Sequence, residues 1–113
     1  MKYITAIIQP DRLHEVLDEL ERRQVHLVTV THVVGRGRQK GIAEVYRGHK
    51  EAGSLLRKVK IEIAINDDFV EPTIEAIRTA AHGGQIGDGK IFVMDLDQCV
   101  RIRTGETGNV AIG

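Results

Sequence analysis

An α+β fold of ferredoxin-like type, a double βαβ sandwich with one sheet under two helices, is predicted for this chain of 113 residues. Three observations predict it. Two β-rich runs flank an amphipathic helical pattern early in the chain, the same order recurs in the second half, and the length suits one compact domain, residues 1–113, but not two.

Residues 3–8 are β-branched and apolar and stop at Gln9-Pro10, which reads as a strand. From Asp11 onward Leu13, Val16, Leu17 and Leu20 recur at helical spacing with acids and arginines opposite, the pattern of a helix lying on a sheet. Residues 25–34 form a second β-rich run, stopped by Gly35. Residues 59–65 read as a third strand. Asp68 and Glu71 then have capping-box spacing ahead of a helix whose apolar face is Val70, Ile74, Ile77 and Ala81, with Pro72 in its tolerant first turn. Gly83-Gly84 ends that helix, and residues 90–96 return as the fourth strand. Residues 98–103 alternate apolar side chains with Arg101 and Arg103, which places both arginines on one face of a further strand. Residues 36–54 have no apolar period, and a loop of that length in so small a domain is usually functional.

Sixteen basic residues balance sixteen acidic ones, which argues against the positive field of a nucleic-acid binder. The balance is a sum of two blocks. Residues 35–60 hold eight basic residues against two acids, and residues 62–97 hold eight acids against two basic residues. Cys99 is the one cysteine, so no internal disulfide forms, and its apolar-alternating setting predicts a buried, inert thiol. Neither a signal core nor a run of membrane-spanning length is visible, so a cytoplasmic protein without membrane insertion is expected.

Glycines cluster at 35, 37 and 41 and again at 83, 84, 87 and 89. The first cluster alternates with Arg36, Arg38 and Lys40, either a solvated basic loop or a set of phosphate donors. The second, running into Asp88 and Lys90, is either an ordinary Gly-Asp-Gly turn or a backbone cradle for an anion. Arg101 and Arg103 suit surface salt bridges or a polyphosphate, and Glu62 is placed to position Lys90 or to be solvated. No P-loop or dinucleotide fingerprint is present, the five histidines have no metal-ligand spacing, and no nucleophile is placed beside a base.

Taken together, GRGRQKG (35–41), EVYRG (44–48), KVKIEI (58–63), IGDGKIFV (86–93) and RIRTGE (101–106) resemble the PII signal-transduction family of nitrogen-regulatory proteins over essentially the whole chain. The resemblance implies a homotrimer that binds ATP or ADP in clefts between subunits and acts through a long exposed T-loop, here residues 36–54. It implies nucleotide contacts at Thr29, Gly35, Gly37, Arg38, Gln39, Glu62, Ile63, Ala64, Gly87, Asp88, Gly89 and Lys90, with Arg101 and Arg103 reaching phosphates from the neighbouring subunit. It further implies 2-oxoglutarate beside Mg-ATP, held by Gln39, Lys40, Lys58 and Gly87, with Gln39 on the magnesium ion. The partner loop would present Tyr46, Arg47, His49 and Glu51 to a membrane transporter, such as an ammonium channel, or to a metabolic enzyme. An enzymatic activity of its own is not expected. The chain departs from the family at Arg36, at Arg57, and in the loop, where Glu51 stands at the position of a uridylylated tyrosine. Regulation by uridylylation is therefore not expected, and a PII-like sensor of another small anion, such as bicarbonate, acting on inorganic-carbon or metal transport, is the alternative reading.

Overall fold

A computed structural model describes residues 1–37 and 55–113. Four strands, β1 (Lys2–Ile8), β2 (Thr29–Gly35), β3 (Leu56–Ile65) and β4 (Gly89–Asp95), form one sheet in the order β2-β3-β1-β4 with every neighbour antiparallel. Helices α1 (Leu13–Arg22) and α2 (Val70–Ala81) pack side by side on one face of it. The predicted ferredoxin-like α+β fold is therefore the observed one.

Register decides what each face carries. Ile4, Ala6 and Ile8 stand beside Ile63, Ile61 and Val59 on the helix-covered face, and all six are buried. Val16 and Leu20 of α1 and Ala76 and Ile77 of α2 close that core, and each fully buried Leu or Ile contributes roughly 1.5–3 kcal/mol relative to exposure. Thr73 is the one polar side chain sunk completely on α2, and its hydroxyl donates to the Phe69 carbonyl at 2.7 Å. The alternate positions, Tyr3, Thr5, Ile7, Lys60, Glu62 and Ala64, lie on the face that neither long helix covers, beside the half-exposed Phe92 and Met94.

Beyond β3 beginning at Leu56 instead of 59, three differences from the sequence expectations matter. The second strand starts at Thr29 and not at 25: residues 26–28 do not pair with β3, although β3 continues to Ile65, and Val25 is taken up in closing α1. There Val25 N–H donates to the Leu20 carbonyl at 2.9 Å and Gln24 N–H to Glu21 at 3.0 Å, a Schellman end whose left-handed residue is Gln24 at φ 63°. A non-glycine residue in that conformation costs about 1–2 kcal/mol. Gln24→Gly is therefore expected to raise stability by about 0.5–1 kcal/mol once glycine's extra chain entropy is deducted, read from denaturant midpoints at fixed protein concentration.

The capping box at Asp68 and Glu71 does not form. A 3₁₀ turn, Asp67–Phe69, leads into α2, and neither the turn nor the helix has a side-chain bond at its N-cap. The third difference is the tail. Residues 98–103 do not make a strand: Val100 bridges Thr107, the chain turns at 102–104, and α3 (Asn109–Ile112) buries Ala111 and Ile112. Arg101 and Arg103 therefore sit on a turn, and Cys99, half-buried, lines a concavity instead of lying in the core.

Candidate functional site

At one end of the open face, β1, β2, β3 and β4 all present a terminus. Ile7, Gly35, Arg36, Gly37, Lys58, Gly87, Gly89, Lys90 and Phe92 line a concavity of about 540 Å³ there. Three of those side chains are cationic. Lys58 projects from β3 into its floor, buried, with Nζ donating to the Gly87 carbonyl at 3.3 Å. Burial holds the Lys58 ammonium below its usual range, and the nearby Asp88 carboxylate partly offsets that.

The turn before β4 is stapled from inside. Asp88 Oδ2 accepts the Gly83 N–H at 2.8 Å and the Gly84 N–H at 2.9 Å, and His82 Nδ1 lies 3.8 Å away. The bond from Gly83, joined by those from Gly84 and Gln85 and by His82, holds the Asp88 carboxyl below the usual carboxylate range against the opposing effect of burial. The carboxylate is thus occupied by its own loop, and the acid in this glycine turn shapes it. Because the folded-state value is lowered, the staple's stabilisation is present above the ordinary carboxylate range and is lost as pH falls through the lowered value. In an acid titration followed by NMR, the Gly83 and Gly84 amides are expected to move together, below the pH at which exposed aspartates titrate.

Glycine is required at the far side of this turn. Gly89 has φ +113°, and a Cβ there would stand 1.7 Å from the Ile7 carbonyl oxygen. Gly35 and Gly37 are different: a Cβ on Gly35 meets only Lys58 Cγ at 3.9 Å, and one on Gly37 meets nothing within 4 Å. Neither turn geometry nor packing of the described residues demands those two glycines.

At the opposite end of the same open face lies a second concavity of about 360 Å³, lined by Tyr3, Leu27, Val28, Thr29, Glu62, Ala64, Cys99, Ala111 and Ile112. Tyr3 donates its hydroxyl to Glu62, a bond that, with burial, raises the phenol above its ordinary value. Lys60 Nζ stands 3.9 Å from the same carboxylate, so Glu62 serves Tyr3 and Lys60 and not Lys90. β3 runs three residues past its last partner in β2, leaving the Ile63–Ile65 edge with no strand beside it among the described residues. Ile63 is buried whole, side chain and backbone together, while Ala64 is partly exposed. Arg101 Nη1 bonds Glu106 at 2.7 Å and Nη2 bonds the Val110 carbonyl at 2.9 Å, while Arg103 is exposed.

The structure thus gathers Gly35, Gly37, Lys58, Gly87, Gly89 and Lys90 into one mouth and Thr29, Glu62 and Ala64 into another. Arg38, Gln39, Lys40, Tyr46, Arg47, His49 and Glu51 lie outside the described residues. Sequence reasoning missed Tyr3 and Glu106 as partners of Glu62 and Arg101. The signal for Tyr3 was its alternation with Ile4, which sets it on the open face opposite Ala64 and next to Glu62. No residue group with three His, Cys, Asp or Glu side chains suited to a metal ion occurs among the described residues.

The class that fold and site define is an α+β sandwich with a glycine-rich turn and three cationic side chains around a concavity at the end of its sheet. A family model described as "Nitrogen regulatory protein P-II" matches residues 1–106. The chain is 54% identical to nitrogen regulatory protein GlnK1 of Methanosarcina mazei, covering 99% of this chain and 97% of that one. It is 53% identical to nitrogen regulatory protein P-II 2 of Methanothermobacter thermautotrophicus, with 99% and 97% covered, and 54% identical to nitrogen regulatory protein P-II of Mesorhizobium japonicum, with 99% and 100% covered. The chain belongs to the P-II family of nitrogen regulatory proteins. Signal transduction in nitrogen regulation is the business of that family, and no helix among the described residues is long and apolar enough to cross a membrane.

Proposed function

We propose that residues 1–113 are a single PII-type domain that assembles as a homotrimer, binds ATP or ADP in its inter-subunit clefts with 2-oxoglutarate beside Mg-ATP, and controls a transporter or enzyme of nitrogen metabolism through residues 36–54. The observation that carries this reading is the division of the binding residues between two ends of one open sheet face. From Tyr3 to Ile7 the strand advances about 13 Å, so the two concavities are separate on one chain, and stacking copies through their open faces brings one end of a subunit to the other end of its neighbour. Ile7, Phe92 and Met94 supply apolar surface for that contact.

Within the cleft each group has a role that its chemistry suits. Lys58, Lys90 and Arg36 supply positive charge to phosphates and carboxylates, and the Asp88 staple keeps the turn open without a ligand. Gly35 and Gly37, which the fold does not need, let a ligand approach the backbone. Magnesium would be carried by phosphate oxygens and by Gln39, linking nucleotide and 2-oxoacid when bound. No catalytic step is assigned to any residue.

Titration calorimetry with ATP, ADP, AMP and 2-oxoglutarate tests this. ATP and ADP are expected to bind without help, and 2-oxoglutarate only with Mg-ATP present; silence with all four sinks the reading. Arg36 on the wall of the same mouth favours one alternative, a PII-like sensor of another small anion such as bicarbonate acting on inorganic-carbon or metal transport. Nucleotide binding with bicarbonate replacing 2-oxoglutarate as the second ligand would select it.

A further inference from the structure

The tail that follows β4 is organised around one ion pair. Arg101 and Glu106 are joined twice: Arg101 Nη1 donates to Glu106 Oε1 at 2.7 Å, and the Arg101 N–H donates to the Glu106 carbonyl at 2.8 Å. Glu106 Oε1 also accepts the Thr104 hydroxyl at 2.8 Å, and the Glu106 N–H donates back to Thr104 Oγ1 at 3.2 Å. Arg101 Nη2 is held by the Val110 carbonyl at 2.9 Å. The guanidinium is therefore fixed at both nitrogens and half-neutralised, while Arg103, two residues on, bonds to none of the described residues. With side chains one-third and two-fifths exposed, the pair is open to a competing anion.

We propose that Glu106 sets the affinity of the nucleotide site and its preference for phosphate number, by aiming Arg101 and by competing with phosphate for it. This rests on the reading of Arg101 as a phosphate contact. A polyphosphate laid against this guanidinium stands a few ångströms from the Glu106 carboxylate, so each added phosphate charge is repelled as well as attracted. The site consequently gains less from a third phosphate than an unpaired arginine would give it. Glu106 is a positioning residue here and touches no ligand.

Glu106→Gln separates the two effects, because its amide oxygen still accepts from Arg101 and Thr104 while the charge is gone. Calorimetry on the full chain is expected to show ATP binding about fivefold tighter at low ionic strength, ADP by less, and AMP within about twofold, with the gap closing toward unity at high salt. A purely structural role would shift all three nucleotides equally and would not respond to salt. Wild-type protein silent to every nucleotide overturns the nucleotide reading itself; wild-type binding with unchanged or weaker ATP affinity in Glu106→Gln overturns this proposal alone. Should the variant not fold, the wild type supplies the test. Arg101 is expected to show separate, slowly exchanging Nη NMR signals without ligand and a shift of Nη1 on adding ATP, and one averaged signal in the free protein overturns the tether.

Discussion

Gly89→Ala is expected to cost about 3 kcal/mol or more and to abolish nucleotide binding along with it. The added methyl would lie 1.7 Å from the Ile7 carbonyl oxygen and 2.9 Å from its carbon, both backbone atoms of a central strand, and the residue would have to hold φ +113°. Strain of that conformation in an L-residue is on the order of 1–3 kcal/mol before any clash is counted. Relief requires β1 and β4 to part at Ile8 and Gly89, the pair that closes this end of the ladder. That movement displaces Lys90 from the mouth and pulls on the Asp88 staple. Denaturant unfolding at fixed protein concentration, beside an ADP titration of whatever protein folds, measures both losses; a melt within 1 kcal/mol of wild type would show that the turn yields more easily than its geometry says.

Lys58→Met separates function from stability. Lys58 is buried, and its ammonium is held below the ordinary lysine range by desolvation. Replacing it with an uncharged chain of similar length removes a buried charge but also the donor to the Gly87 carbonyl, so the variant is expected to melt within about 1 kcal/mol of wild type. Under the proposed function it loses the partner of a carboxylate, a charge-assisted bond whose removal costs roughly tenfold to a hundredfold in affinity. The expected result is a fold that remains intact, ADP binding within about threefold of wild type, and 2-oxoglutarate binding gone. The wild type adds a pH test. Binding needs the charged ammonium, whose folded-state value is lowered, so 2-oxoglutarate affinity should begin to fall at a lower pH than an exposed lysine would allow. Affinity flat across the alkaline range would remove Lys58 from the site.

Local patterns legible in the sequence were those in which neighbours along the chain decide the outcome. The period of Leu13, Val16, Leu17 and Leu20 could be satisfied only by a helix, and the alternation of β1 only by a half-covered strand. The glycine run ending at Lys90 was legible as a turn, yet the inward placement of Asp88 was not, because an aspartate looks the same whether it faces a ligand or its own backbone amides. Where distant segments decide, the pattern misled. Residues 98–103 alternate like a strand, but they join neither edge of the sheet; Val100 bridges only Thr107, and Arg101 bonds forward to Glu106 as the chain turns. β2 began late because Val25 is drawn into the C-terminal cap of α1, and the residues after it do not pair with β3 although β3 runs on to Ile65.

The two kinds of glycine in the mouth imply two kinds of genetic lesion. Gly89 is needed by the chain before any ligand arrives, so its replacement should lower the amount of protein in the cell and mimic a deletion. Among the described residues nothing stands where a side chain on Gly37 would go. Under the proposed function, a bulky residue there leaves abundance and assembly near normal while denying the ligand its approach, so the cell keeps the regulator but fixes it in one signalling state. Deletion and deafness are different phenotypes, and a screen of substitutions along 35–37 and 83–89, scored for both protein level and response, would sort them by position.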